Sequence, residues 1–166
     1  NQQQVLEALA AYPNGMQFGG GVNLENASSY LEAGASHIIV TSYLFEAGEF
    51  SWSRLESIKA EVGAQRLVLD LSCRKTNQGW MIATDRWQTV TNTAVNQQTL
   101  SELEKHCAEF LVHGADVEGL QAGIDQDLVA LLGNSCTVPV TYAGGARSLA
   151  DLELVQSLSK GQVDLT

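Results

Sequence analysis

An internal echo constrains this chain more than any other feature. The hexamer FGGGVN (residues 18–23) reappears as YAGGAR (residues 142–147), 124 residues apart counted from 18 to 142. Each copy closes a short apolar run and opens a segment with helical spacing. The apolar runs that come next also correspond, IIVTS (38–42) with VDLT (163–166), each carrying a threonine at its end. Four strand–helix units separate the copies, which is half of an eightfold ring. A doubly wound open sheet predicts one such loop at its switch point, so two copies at the half period favour a (β/α)8 barrel.

The remaining elements fit that ring. Residues 2–11 read as a helix running into the turn cluster Pro13-Asn14-Gly15. A strand at 16–18 ends in the glycines, and Asn23 is placed to cap a helix that stops at Gly34. HIIVTSYLF (37–45) is a buried-type strand. SRLE (53–56) is a capping-box pattern opening a helix with Leu55, Ile58 and Val62 on one stripe, stopped at Gly63. RLVLDLS (66–72) is the next strand, and 75–87 has hairpin character about Asn77-Gln78-Gly79. A helix at 97–107, a strand entering a polar loop at 109–119, and a short helix at 126–133 with a glycine stop follow. The strand 138–142, the helix 148–161 and the beginning of a strand at 163–166 complete six strands in alternation with helices, the pattern of a parallel sheet.

Composition narrows the partners. With 45% hydrophobic and 17% charged residues the chain is globular. No apolar run approaches the roughly 20 residues that span a bilayer, and the opening residues lack a signal-peptide pattern although the chain starts on Asn1. A formal charge of −10 argues against nucleic acid and against an anionic membrane surface. Cys73, Cys107 and Cys136 are odd in number and widely spaced, which points to free thiols in a reducing compartment. The scattered His37, His106 and His113 suggest no metal site. No linker divides the chain, so residues 1–166 read as a single, partial barrel domain.

In a parallel barrel the carboxyl ends of the strands form the active face. Glycines there let backbone N–H groups approach an anion, and a following helix start adds its positive dipole end. Gly19, Gly20, Gly21 and Gly144, Gly145 are all so placed. The implied ligand carries two phosphates, one at each end. Asp70 interrupts an apolar strand where it meets its loop, a position suited to general acid/base work, or to capping a turn or pairing with Arg74 or Lys75. Asp116 and Glu118 belong to the next strand's loop and can face Asp70, or can simply be solvated. Trp80 and Trp87 flank the hairpin and either stack on a flat heterocycle or pack the hairpin down. His113 lies within a strand and reads as a hydrogen-bonded core residue, and Cys73 has no evident base to activate it.

GGGVN, VTSYLF, LVLDLSCRK, WQTVT, FLVHGADVEGLQAGID, TYAGGARSLADLELV and LSKGQVDLT together resemble the fungal and plant form of the histidine-biosynthesis isomerase that acts on phosphoribosylformimino-5-aminoimidazole carboxamide ribotide. The resemblance covers essentially the whole chain, and VLDLSCRK and HGADVEGL are its most specific segments. It implies an aldose–ketose isomerase performing an Amadori rearrangement without metal or organic cofactor. The substrate would be a small bis-phosphate, and the enzyme monomeric and cytoplasmic, or plastidial in a plant or alga. Asp70 matches the family's carboxylate at the end of strand five. Gly20, Gly21, Thr41 and Ser42 match one phosphate site, Gly144 and Gly145 part of the other, and Trp87 the tryptophan associated with the aromatic base. Glu118 aligns with an acidic residue of the strand-six loop, with Asp116 an unaligned competitor for that role.

The family's first strand carries a second essential aspartate, and this sequence begins at the helix after strand two. It also stops before the glycine-serine of the second phosphate site. The expectation is a fragment comprising strands three to eight, inactive alone, with sheet edges that invite self-association. The sister cyclase barrel of the same pathway and a non-catalytic phosphate-binding module are the alternative readings.

Overall fold

The computed structural model describes residues 2–166. The chain begins with α1 (Gln2–Ala11), then runs through β1 (Gln17–Gly19), α2 (Ala27–Glu32) and β2 (His37–Val40). A two-residue ladder of β3 (Phe45–Glu46) with β4 (Glu49–Phe50) leads into α3 (Trp52–Val62) and β5 (Leu67–Thr76). Next come β6 (Gly79–Thr84), β7 (Thr89–Ala94), α4 (Gln97–Leu103) and β8 (Glu109–Gly114). The chain closes with α5 (Gln126–Ser135), β9 (Val140–Ala143), α6 (Leu149–Ser159) and β10 (Val163–Leu165).

Six strands form one parallel sheet in the order β1-β2-β5-β8-β9-β10, which is chain order without reversal. Right-handed crossovers in unreversed order put every helix on one face. The helices accordingly pack on one another, α2 with α3, α4 with α5, and α5 with α6. The opposite face curls inward. In a flat sheet β1 and β8 would lie three strand spacings apart, about 14 Å. Yet Gln17 of β1 donates to Glu109 of β8 at 2.7 Å, and Glu109 accepts from Thr141 of β9 at 2.8 Å. These three side chains form a polar layer inside six consecutive strands of a (β/α)8 barrel.

β5 shows why the strand reads as nearly continuous apolar sequence. Leu67, Val68, Leu69, Leu71 and Cys73 are all at most 2% exposed, because helices cover one face and the barrel interior the other. Truncating Leu69 to alanine would cost about 3 kcal/mol. Asp70 and Ser72, two residues apart, share the inward face.

Several boundaries differ from the sequence expectation. The second strand ends at Val40, since residues 42–44 tighten into a 3-10 turn and Phe45 begins the ladder against Phe50. Asn23 does not cap α2: its side chain accepts from Glu25 N–H, while its own N–H donates to Asn26 Oδ1, both at 2.9 Å, and the helix starts at Ala27. Ser51, rather than Ser53, caps α3 by accepting from Arg54 N–H. Gly133 is no stop. It lies inside α5, where a Cβ would sit 2.4 Å from Ser159 Cα, so the glycine lets α5 and α6 approach. The hairpin about residues 77–78 is present, and β7 adds a third antiparallel strand whose sequence, TVTNTA, is too polar to announce itself.

Candidate active site

At the carboxyl ends of β1, β2, β5 and β8 a cleft of about 820 Å³ opens, lined among others by Gly20, Gly21, Thr41, Ser42, Asp70 and His113. A deeper recess of about 380 Å³ continues it beneath Gly19, past Ile39 and Leu111. The turn between β6 and β7 contributes Asp85, Arg86 and Trp87 as one wall of the cleft.

Asp70 is the hub. Its Oδ2 accepts from Thr41 Oγ1 at 2.9 Å, and its Oδ1 lies 3.1 Å from His113 Nδ1 and 3.4 Å from Ser72 Oγ. Ser72 in turn accepts from Trp87 Nε1 at 3.1 Å. Register explains the convergence: Ser72 of β5 stands opposite His113 of β8, and Leu69, next to Asp70, stands opposite Val40, next to Thr41. The hydrogen bond to Asp70 raises the basicity of His113 against its partial burial, with the Asp70 and Glu118 charges adding to the effect. His113 is thus hydrogen-bonded, as its strand position suggested, but it lines the cleft rather than the core. The signal available in sequence was only parity, since His113 falls on the same face as Leu111.

Trp87 is held in an unusual backbone. Asp85, Arg86 and Trp87 have φ of 54°, 53° and 68°, three consecutive left-handed residues without a glycine. Such residues cost about 1–2 kcal/mol each. Arg74 donates to the Trp87 carbonyl at 3.3 Å, and the Trp87–Ser72 bond anchors the indole over β5. Trp80, by contrast, donates to Asp125 at 2.8 Å with Lys75 5.0 Å above its ring, and so packs the hairpin against α5.

The two acidic candidates of the β8 loop part company. Asp116 accepts from Arg74 Nε at 3.0 Å and from Lys75 N–H at 2.7 Å, on the rim. Arg74 thus pairs with Asp116, and the Lys75 ammonium with Asp127 at 3.3 Å, so neither pairs with Asp70. Glu118 is turned inward: its Oε2 is buried without a hydrogen-bond partner, and a Cβ on Gly144 would lie 3.3 Å from it. Cys73 is 1% exposed, donates to the Leu71 carbonyl, and has its thiol pushed well up by burial, which leaves it inert.

The two glycine loops keep the echo in their backbone. Both glycine pairs have positive φ, 101° and 72° at Gly20 and Gly21, 128° and 74° at Gly144 and Gly145. In each loop a side chain near the start of the following helix takes an N–H: Asn26 that of Asn23, Asp151 that of Arg147 at 2.8 Å. Gly20 and Gly21 face the cleft, and Thr41 and Ser42 border it. Gly144 and Gly145 are buried under the loop of residues 115–124 and line neither cavity. Among the described residues no cluster of His, Cys, Asp and Glu could hold a metal ion.

Residues 1–164 match the model of a family described as histidine biosynthesis protein. A Neurospora crassa protein is 49% identical over 169 residues, covering 100% of this chain and 66% of its own length. A Yarrowia lipolytica protein is 51% identical over 168 residues, with 96% and 64% covered, and a chloroplastic Medicago truncatula protein 50% over 161, with 97% and 52% covered. All three are described as isomerases of an imidazole-4-carboxamide bearing two phosphoribosyl groups. The chain spans between about half and two thirds of the length of these relatives.

Proposed function

Because the chain belongs to the histidine biosynthesis protein family, we propose that it supplies the substrate-binding wall and one catalytic carboxylate of an intramolecular aldose–ketose isomerase. The substrate is the imidazole-4-carboxamide with two phosphoribosyl groups named for the relatives. The observation that carries this reading is the convergence of Thr41, Ser72 and His113 on Asp70, in a cleft that opens from Gly20 and Gly21. A carboxylate gripped on both oxygens is oriented for proton transfer rather than spent on a surface ion pair.

The chemistry is an Amadori rearrangement. A general acid protonates the ribose ring oxygen, opening the aminoaldose to an iminium. A base then removes the C2′ proton to give an enaminol, which tautomerises to the aminoketose. Only protons move within one molecule, so the overall conversion consumes neither oxidant nor reductant. Asp70 serves one of the two proton transfers. Glu118, with its unpartnered Oε2, is the better placed of the two β8-loop carboxylates to receive a substrate donor. The backbone at Gly19, Gly20, Gly21 and Ser42 takes one phosphate. Thr41 borders the same site, but its hydroxyl is engaged by Asp70. Gly144 and Gly145 form part of the second phosphate site, and Trp87 covers the imidazole.

The relatives' names favour the isomerase over the sister cyclase and over a non-catalytic module. No helix among the described residues is long and apolar enough to cross a membrane. We place the enzyme in the cytoplasm, or in a plastid as for the chloroplastic Medicago truncatula relative. The test is turnover of the aminoaldose by the full-length protein that carries these residues. Asp70→Asn should lower kcat by about 100-fold or more with product affinity kept. A wild-type protein that binds the product but converts nothing overturns the reading.

A further inference from the structure

His113 grips Asp70 and lines the cleft without itself serving as the acid or base of the proton transfers above. It stands on β8 opposite Ser72, lines the cleft, and keeps a quarter of its side chain (25%) exposed. Its Nδ1 lies 3.1 Å from Asp70 Oδ1, and its ring centroid 6.4 Å from that of Trp87. No hydrogen bond holds Nε2 among the described residues, so the ring is tethered at one nitrogen only. Thr41 takes the other carboxylate oxygen of Asp70, at 2.9 Å.

Resting on the isomerase reading, we propose that His113 is a positioning residue for the isomerisation, fixing the Asp70 carboxylate through Nδ1–H while presenting its own positive charge to the cleft. A neutral donor such as Asn could fix the carboxylate equally well. What histidine adds is charge, in a site whose ligand carries two phosphates. The ionisable groups around it are Asp70 on β5, Glu118 on the β8 loop, and Asp85 and Arg86 on the β6–β7 turn. β9 presents Ala143 beside His113, an uncharged neighbour.

His113 is raised above the ordinary histidine value of 6.5, chiefly by its bond to Asp70. The charged pair is therefore complete below pH 6.5 and is lost as pH rises through the raised value. Activity that uses the pair falls on the alkaline side over that window.

Two substitutions in the full-length protein separate the roles. His113→Gln keeps a donor without the charge, and His113→Leu removes both. We expect His113→Leu to lower kcat about tenfold or more, and His113→Gln to show a smaller loss, with a pH-independent kcat matching that of the wild type above its alkaline limb. If both variants keep the wild-type limb, the inference is overturned while the isomerase reading stands. If the wild-type protein converts nothing, the isomerase reading falls and this role falls with it. An independent arm uses the histidine proton resonances of the same protein. The His113 titration should move to lower pH in Asp70→Asn, and an unmoved titration also overturns the pairing.

Discussion

The two glycine loops share a backbone trace and differ in what surrounds it. At Gly20 and Gly21 an added Cβ would meet nothing within 4 Å. At Gly145 it would lie 2.2 Å from the Gly123 carbonyl oxygen, and at Gly144 2.9 Å from that of Gly114. The first pair leaves room, whereas the second lets backbone approach backbone, with Gly123 N–H donating to Gly145 O at 2.9 Å. The caps differ too. Loop one uses the neutral Asn26, while loop two uses the buried Asp151, which Arg147 holds at 2.9 Å. A repeated motif thus reports a repeated conformation, and the neighbours decide how much room is left around the glycine backbone.

The contrast can be broken most easily at Gly145. Gly145→Ala should destabilise the protein by about 3 kcal/mol, read as a fall in the denaturant midpoint, because the obstructing atom is main chain. Asp151→Asn should produce a smaller loss, confined to the amides at the start of α6 in hydrogen exchange. The Arg147 hydrogen bonds hold the Asp151 carboxyl down at about 2. Its contribution is therefore present above the ordinary 3.8 and lost as pH falls toward 2. Loop one, capped by an amide, should show no such acid dependence.

Gly21→Ala should cost only about 1 kcal/mol, from its φ of 72°, yet weaken binding of the phosphorylated product. Equal destabilisation by Gly21→Ala and Gly145→Ala would erase the distinction between the loops. Trp87→Phe should cost about as little stability as Gly21→Ala. It removes the 3.1 Å bond to Ser72, worth about 1 kcal/mol, and should lower product affinity with the fold intact.

Much of this arrangement was legible in the sequence, and the misses share a cause. The echo and the strand–helix alternation carry the unreversed strand order, because both depend on local pattern. Asp70 stands out as a carboxylate inside an apolar run. His113 does not, because its role comes from standing opposite Ser72, a register that only the paired strands reveal. Asp116 and Glu118 look equivalent two residues apart, yet Arg74 and Lys75 hold the first at the rim while the second turns in beside Gly144. Gly133 reads as a stop from its own helix, and only the presence of α6 gives it a different purpose. Asn23 has the chemistry of a cap, but its side chain is spent on Glu25 N–H within the loop, a turn that only the folded backbone reveals.

The most direct test of the account is a crystal structure of the full-length protein with the aminoketose product bound. The account predicts one phosphate over Gly20, Gly21 and Ser42, the imidazole against Trp87, and an Asp70 oxygen within hydrogen-bonding distance of the open ribose. A product seated away from Asp70, or a first loop left empty beside an occupied site elsewhere, would contradict it.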